Sequence, residues 1–126
     1  VNEALDAGLD LDERPEIFEA CHLALDAVAD VQRVGIGHHF CAAFSSTALR
    51  VGKPDPRMFQ VGARAAGAPV DAVLHIGDDA HLDGVGALNA GMQMAWVNRE
   101  GLVWEHPVHQ PHVTVADLRS LCELLA

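Results

Sequence analysis

The stretch Val73-Leu74-His75-Ile76-Gly77-Asp78-Asp79-Ala80-His81-Leu82-Asp83 decides the fold of this chain. Its first four residues form a short, largely apolar run that is closed by a Gly-Asp pair, a pattern typical of a buried parallel strand that ends in a loop. In an open parallel sheet, ligands bind beyond the carboxyl ends of the strands. Polar residues that follow this strand are therefore candidates for a functional site.

Helices and strands alternate on both sides of this strand. The pattern predicts helices over residues 56–67 and 82–90, strands over 94–97 and 113–115, and a C-terminal helix with Leu118, Leu121 and Leu125 in register. This alternation predicts an α/β fold, in which a parallel sheet is covered by helices.

Three carboxylates follow the strand within six residues: Asp78, Asp79 and Asp83. Like charges this close repel one another, and a site that tolerates them usually holds a hard cation bound through oxygen. Magnesium is the obvious candidate. The alternative is that Asp79 or Asp83 merely caps the following helix, a common use of aspartate.

A second signal is Gly52-Lys53-Pro54-Asp55-Pro56, which contains the one lysine of the chain. The two prolines fix two φ angles, so we expect Lys53 on a stiff extended segment that leads into a helix. An amine held this rigidly can neutralise phosphate or carboxylate charge with little reorganisation. The alternative is an ordinary exposed lysine.

Composition narrows the class of function. The chain has 126 residues, with 18 acidic and 8 basic side chains and a formal net charge of −10. This balance disfavours nucleic acid and anionic membrane surfaces as partners. Nine of the carboxylates lie in residues 1–30 beside one arginine. We therefore expect two parts: an acidic, mainly helical segment over residues 1–30 and an α/β core over residues 31–126.

Cysteine spacing and hydropathy predict the compartment. Cys21, Cys41 and Cys122 are far apart and odd in number, which is typical of free thiols in a reducing environment. No apolar run reaches the roughly 18 residues of a membrane span, and the first residues do not resemble a signal peptide. The expected location is the cytoplasm.

The two signals together resemble the haloacid dehalogenase-like (HAD) hydrolases. The resemblance is carried by Lys53-Pro54-Asp55-Pro56, Leu74-His75-Ile76-Gly77-Asp78-Asp79, Asp83, Gly86-Ala87, Ala90-Gly91-Met92 and Trp96-Val97. It covers roughly residues 31–126 and implies a Rossmann-like core with helices on both faces. Within the family the chain is similar to capped small-metabolite phosphatases, and its tail is similar to the flavin-mononucleotide and pyrimidine-phosphate branch.

The resemblance also implies roles for individual residues. Lys53 would hold the nucleophile and the substrate phosphate, and Asp78 would bind Mg²⁺ directly. Asp79 and Asp83 would support the metal and orient Lys53. The implied reaction is attack of an aspartate on phosphorus, which gives an aspartyl-phosphate that water hydrolyses.

The N-terminal quarter departs from the family pattern. In the family an apolar strand ends in Asp-x-Asp-x-Thr, whose first aspartate is the nucleophile and whose second is the general acid. Here only Asp10 and Asp12 have this spacing, but no apolar strand precedes them and no threonine follows. The alternative is a solvated acidic turn. The strand next to Asp78 would then have an open apolar edge. Residues 1–30 would cover it as a cap remnant or altered core edge, or a partner chain or a missing segment would do so.

Histidines near the acidic loop are weaker candidates. His81 could reach the substrate, whereas His75 is expected to be a satisfied core or helix-facing histidine. His106, His109 and His112 could bind zinc or nickel, but the prolines among them prevent a shared helical face.

The sequence therefore predicts a Mg²⁺-dependent HAD-type phosphatase that acts on a small cytosolic phosphomonoester. The alternative is a HAD-like domain or fragment without catalysis that serves as a binding or structural module. A carboxylate from residues 1–30 within about 5 Å of both Asp78 and the Lys53 amine would favour the enzyme.

Overall fold

The computed structural model describes residues 33–40 and 42–126. Asp10, Asp12 and the expected helical segment over residues 1–30 lie outside the described residues, so the boundary between residues 30 and 31 stays a prediction. In chain order the elements are a 3-10 turn (Gly37–His39), α1 (Ser46–Leu49), α2 (Pro56–Ala65), a second 3-10 turn (Val70–Ala72), β1 (Leu74–Gly77), a π-helical turn (Ala80–Val85), α3 (Gly86–Asn89), β2 (Gln93–Val97), β3 (Val113–Val115) and α4 (Leu118–Leu125).

The sheet has three strands in the order β1-β2-β3, and both pairs are parallel. Ile76 lies opposite Ala95, and Ala95 lies opposite Val113. The predicted parallel α/β fold is confirmed. The central strand β2 is buried over its last four residues, as expected for a parallel strand covered on both faces.

The core lies on both sides of the sheet because side chains alternate along β2. Met94 and Trp96 pack with residues of α2 and α3. Ala95 and Val97 pack on the opposite side with Leu121 of α4. Helices therefore cover both faces, in agreement with the sequence prediction.

Helix α2 begins where the local sequence predicts and ends two residues early. Asp55 caps it by accepting a hydrogen bond from the Arg57 N–H at 2.9 Å, and a proline occupies the first turn. The helix stops at Ala65, two residues before the predicted end. Gly67 adopts a φ of +64°, and its N–H donates to the Arg64 carbonyl, which closes the helix.

The predicted helix over residues 82–90 is present, but it begins at Ala80 and is not an α-helix throughout. The chain forms a π-helical turn first, in which the Asp79 carbonyl accepts from the N–H groups of both Asp83 and Gly84, each at 3.0 Å. The widened turn also packs closely at Gly84, where a Cβ would lie 2.5 Å from the Trp104 ring. This distant tryptophan supplies a constraint that helical periodicity does not contain.

Among the described residues, no helix has the length and apolar character that a membrane crossing requires. Cys122, which lies in α4, is an exposed free thiol.

Met94 tests the core, because it is fully buried at the centre of the sheet. Met94→Ala should lower the free energy of unfolding by about 2–5 kcal/mol, since the site loses apolar contacts and gains a cavity. Urea denaturation measures the loss. The matched control is Met58→Ala, because Met58 is only partly buried against the same cluster. Equal losses for the two variants would contradict the described core.

Candidate active site

The carboxylate of Asp83 lies at the centre of the site, and three donors hold it. Lys53 Nζ lies 2.5 Å from Oδ1, and His75 Nε2 lies 2.9 Å from the same oxygen. The Asp79 N–H donates to Oδ2 at 3.2 Å. Asp83 is only 5% exposed, and these partners satisfy both oxygens of a charge that is costly to bury alone.

These hydrogen bonds decide the protonation state of Asp83. Burial by itself raises the pKa of Asp83, but hydrogen bonds from His75, Lys53 and the Asp79 N–H outweigh burial and hold the pKa well below its usual range. Asp83 is therefore ionised at neutral pH, and its negative charge lies next to the amine of Lys53.

Gly77 makes room for this carboxylate at the end of β1. A Cβ at Gly77 would overlap the carboxyl carbon of Asp83. Residues two apart in a strand face the same side, so Gly77 and His75 both face Asp83. The strand thus provides a donor and a gap next to each other.

Lys53 lies in a tight turn rather than on the extended segment that the prolines predict. The Asp55 N–H donates to the Gly52 carbonyl at 3.0 Å and closes this turn. The turn packs against the start of α3, where a Cβ at Gly86 would lie 3.1 Å from the Cα of Pro54. Lys53 reaches Asp83 from this position, and its side chain is 39% exposed to solvent.

Asp78 and Asp79 use their polar groups differently. The Asp79 side chain accepts from the N–H groups of His81 and Leu82, at 2.9 and 2.6 Å, and thus caps the π-helical turn. Asp78 is exposed, and its backbone carbonyl accepts from Trp96 Nε1 at 2.9 Å. Its carboxylate makes no hydrogen bond with the described residues.

The carboxylates of this loop are ligands that a hard cation prefers, but the described residues do not form a complete metal site. No group of three histidine, cysteine, aspartate or glutamate side chains able to hold a metal occurs within residues 33–40 and 42–126. Asp79 and Asp83 already accept protein hydrogen bonds, which leaves Asp78 as the carboxylate open to a metal.

The remaining histidines do not converge. His81 is exposed and its ring stacks on that of His106, with centroids 5.8 Å apart. His109 Nε2 lies 2.7 Å from Asn89 Oδ1, and His112 Nδ1 accepts from the Met94 N–H at 3.1 Å. His106, His109 and His112 thus have three different sets of partners, which does not favour a shared zinc or nickel site.

Sequence reasoning predicts a satisfied core or helix-facing histidine at position 75, but it missed the contact of this histidine with Asp83. The structure places its Nε2 on Asp83 and its ring edge-on to Phe59, with centroids 5.0 Å apart. The alternation of side chains along β1 was the available signal, because it places His75 on the same face as Gly77. The candidate nucleophile and acid, Asp10 and Asp12, lie outside the described residues.

Comparison with known proteins identifies the family. The model of the HAD-hydrolase-like family matches residues 50–121, more than half of the chain, and this segment contains Lys53, His75 and Asp83. The chain belongs to this family.

Relatives of this HAD chain include phosphatases and dehalogenases. It is 36% identical over 107 residues to phosphoserine phosphatase of Thermus thermophilus, across 81% of this chain and 43% of that protein. It is 33% identical over 101 residues to an (S)-2-haloacid dehalogenase of a Pseudomonas species, across 80% and 42%. The chain thus spans less than half the length of these relatives. The flavin-mononucleotide branch is not singled out.

Solved structures agree with the HAD assignment. A 2-haloacid dehalogenase from Pseudomonas syringae superposes with a TM-score of 0.70 at 35% identity, over 75% of this chain and 41% of that one. A HAD phosphatase from Thermococcus onnurineus superposes with a TM-score of 0.67 at 21% identity, over 79% and 45%. The second likeness supports the fold alone.

Gly77 offers a test of the packing around Asp83. Gly77→Ala should lower the free energy of unfolding by about 1–3 kcal/mol, because the added methyl group displaces the carboxylate or the strand. The matched control is Gly62→Ala in α2, where a Cβ meets nothing within 4 Å. That variant should gain up to about 1 kcal/mol. Urea denaturation of both variants measures the difference, and an unchanged midpoint for Gly77→Ala would contradict the geometry.

Asp55 gives a test by pH. Hydrogen bonds from the side chain and backbone of Arg57 lower the pKa of Asp55 from 3.8 to about 2. Because the folded pKa is the lower one, the charged side chain stabilises the fold fully above pH 3.8, and this contribution is lost as the pH falls through 2. Asn at this position still caps the helix but lacks the charge.

The melting temperature of Asp55→Asn should therefore lie below that of the wild type at pH 5. The gap should narrow between pH 4 and pH 2, since protonation removes the same charge from the wild type. Thermal unfolding followed by circular dichroism measures both proteins. A gap that stays constant over this range would show that the Asp55 charge is not the source of the difference.

Proposed function

We propose that this chain contributes the Lys53 and Asp83 part of the active site of a Mg²⁺-dependent HAD-type phosphatase that acts on a small cytosolic phosphomonoester. One observation carries the proposal: the one lysine of the chain is fixed by a buried, ionised carboxylate at the carboxyl end of β1, next to the open carboxylate of Asp78. The phosphatase and dehalogenase relatives support a hydrolase of this family.

The proposed reaction has two steps. An aspartate carboxylate attacks phosphorus, the bond to the ester oxygen breaks with its electron pair, and the leaving oxygen takes a proton from a carboxylic acid. In the second step water gives a proton to the carboxylate left by that acid and attacks phosphorus, and the bond from phosphorus to the aspartyl oxygen breaks, which regenerates the nucleophile and releases inorganic phosphate. Asp10 is the proposed nucleophile and Asp12 the proposed acid.

Lys53 serves the transferred group through its charge. Asp83 orients the amine, so the ammonium can offset the negative charge of the phosphoryl oxygens without reorganising. His81, exposed on the same loop, is the proposed contact to the rest of the substrate.

Asp78 is the proposed carboxylate for Mg²⁺, with Asp79 and Asp83 as supports. When bound, the ion would neutralise charge on the phosphoryl oxygens. A second acidic ligand would have to come from outside the described residues.

Strand β1 pairs only with β2 among the described residues, and Ile76 is 43% exposed. We propose that the open edge of β1 is covered by residues of this chain that the structure does not describe, by a missing segment, or by a second chain.

Hydrolysis of a carbon–halogen bond is the second candidate. The observation that favours it is the 33% identity to a haloacid dehalogenase, together with the likeness to a solved dehalogenase structure at 35% identity. The Lys53 ammonium could equally bind the carboxylate of a haloacid.

Release of phosphate from p-nitrophenyl phosphate with Mg²⁺ tests the proposal. Lys53→Ala should lower kcat about 100-fold or more, because it removes a preorganised charge from the transition state. Asp78→Asn should lose activity and its response to Mg²⁺. Arg64→Ala, which removes an exposed cation on α2, is the matched control and should retain activity.

The same proteins should be assayed for chloride release from 2-chloropropanoate. Chloride release without phosphate release would favour the dehalogenase. Equal phosphate release by all variants would overturn the proposed roles. Absence of both activities would support the noncatalytic alternative.

A further inference from the structure

The hydrogen bond between His75 and Asp83 carries an inference that rests on the proposed function. His75 Nε2 and Lys53 Nζ contact the same oxygen of Asp83, at 2.9 and 2.5 Å. A carboxylate only accepts hydrogen bonds, so His75 Nε2 carries the proton of its bond. Two donors from distant parts of the chain therefore fix one oxygen.

The two donors differ in mobility. Lys53 approaches on a long side chain that is 39% exposed, whereas the His75 side chain is 20% exposed and projects from a sheet strand. The His75 ring is also held edge-on to Phe59. Phe59 belongs to the buried core and lies 2.8 Å from where a Gly86 Cβ would be. The ring of His75 is thus the rigid donor of the pair.

Without His75, Asp83 would keep one flexible donor on Oδ1 and the longer bond from the Asp79 N–H, at 3.2 Å, on Oδ2. The carboxylate could then rotate, and the ammonium of Lys53 would follow it. A loosely placed charge stabilises a transition state less well than a fixed one.

We propose that His75 is a positioning residue of this active site: its Nε2–H locks the Asp83 carboxylate, and the locked carboxylate fixes the ammonium of Lys53 toward the anionic substrate. His75 itself contacts neither the substrate nor the reacting atoms.

Two substitutions separate the hydrogen bond from packing. His75→Phe keeps an aromatic ring next to Phe59 but removes the hydrogen-bond donor. His75→Gln retains an N–H donor, which it carries on a side-chain amide instead of a ring. His75→Phe should lower kcat for p-nitrophenyl phosphate by about 10- to 100-fold with little change in KM, and His75→Gln should recover much of the loss. Circular dichroism melts confirm that both variants fold.

The matched control is His109→Phe. His109 also bonds through Nε2 to a side-chain oxygen, Asn89 Oδ1 at 2.7 Å, but it has no contact with Asp83. Its kcat should stay near that of the wild type. In a Lys53→Met background the effect of His75→Phe should vanish, because His75 acts through Lys53.

A second readout does not depend on activity. Lys53 is the one lysine, so an amine-specific reagent modifies only its Nζ and the amino terminus, which peptide mass mapping distinguishes. The bond to a locked carboxylate protects Lys53. Labelling should be severalfold faster in His75→Phe and close to the wild-type rate in His75→Gln.

Each outcome either supports or overturns the positioning role of His75. A lowered kcat that glutamine rescues and that disappears without Lys53 supports the role. Wild-type kcat in a folded His75→Phe, or equal loss in the Phe and Gln variants, overturns it. If no variant turns over substrate, the proposed function fails and labelling alone decides: unchanged labelling in His75→Phe overturns the positioning role, and faster labelling rescued by glutamine supports it.

Discussion

The site depends on one buried ionised carboxylate, that of Asp83. An ionised group removed from water is stable only when its oxygens are paired, and here the partners are a lysine, a histidine and a backbone N–H. Each partner belongs to a different element. The charge of Asp83 therefore joins the turn before α2, the strand β1 and the start of the π-helical turn at one point.

Several local features follow from that requirement. Position 77 must be glycine because any side chain would occupy the space of the carboxylate. The turn after β1 is a π-helix that is capped by Asp79. This turn places Asp83 against Gly77, the last residue of the strand. Trp104 packs on Gly84 in this turn, and Phe59 packs on Gly86 at the start of α3.

The sequence was sufficient for the architecture and for part of the site. Apolar runs and glycine stops predicted β1, β2, β3, α2 and α4 to within two residues, because periodicity and capping are local properties. The π-helical start of the predicted helix over residues 82–90 could not be predicted, because helical periodicity contains neither the helix type nor the contact of Gly84 with Trp104, twenty residues away.

The site was predicted by residue type but not by contact. The resemblance placed Lys53 and the acidic residues of the loop in one site, and the structure joins Lys53 to Asp83. Asp79 proved to be a helix cap, the alternative that the sequence had left open. The sequence predicts a satisfied core or helix-facing histidine at position 75, but a histidine in an apolar strand does not show which residue is its hydrogen-bond partner. The roles of Asp10 and Asp12 stay predictions, because they lie outside the described residues.

The central claim is that Asp83 fixes the ammonium of Lys53, and nuclear magnetic resonance of ¹⁵N-lysine tests it most directly. The chain has one lysine, so one side-chain signal is expected. The account predicts an ammonium signal that exchanges slowly with water in the wild type and is lost to fast exchange in Asp83→Asn, whereas Asp71→Asn, at an exposed aspartate, leaves it unchanged. A signal in fast exchange in the wild type, or one that persists unchanged in Asp83→Asn, would contradict the account.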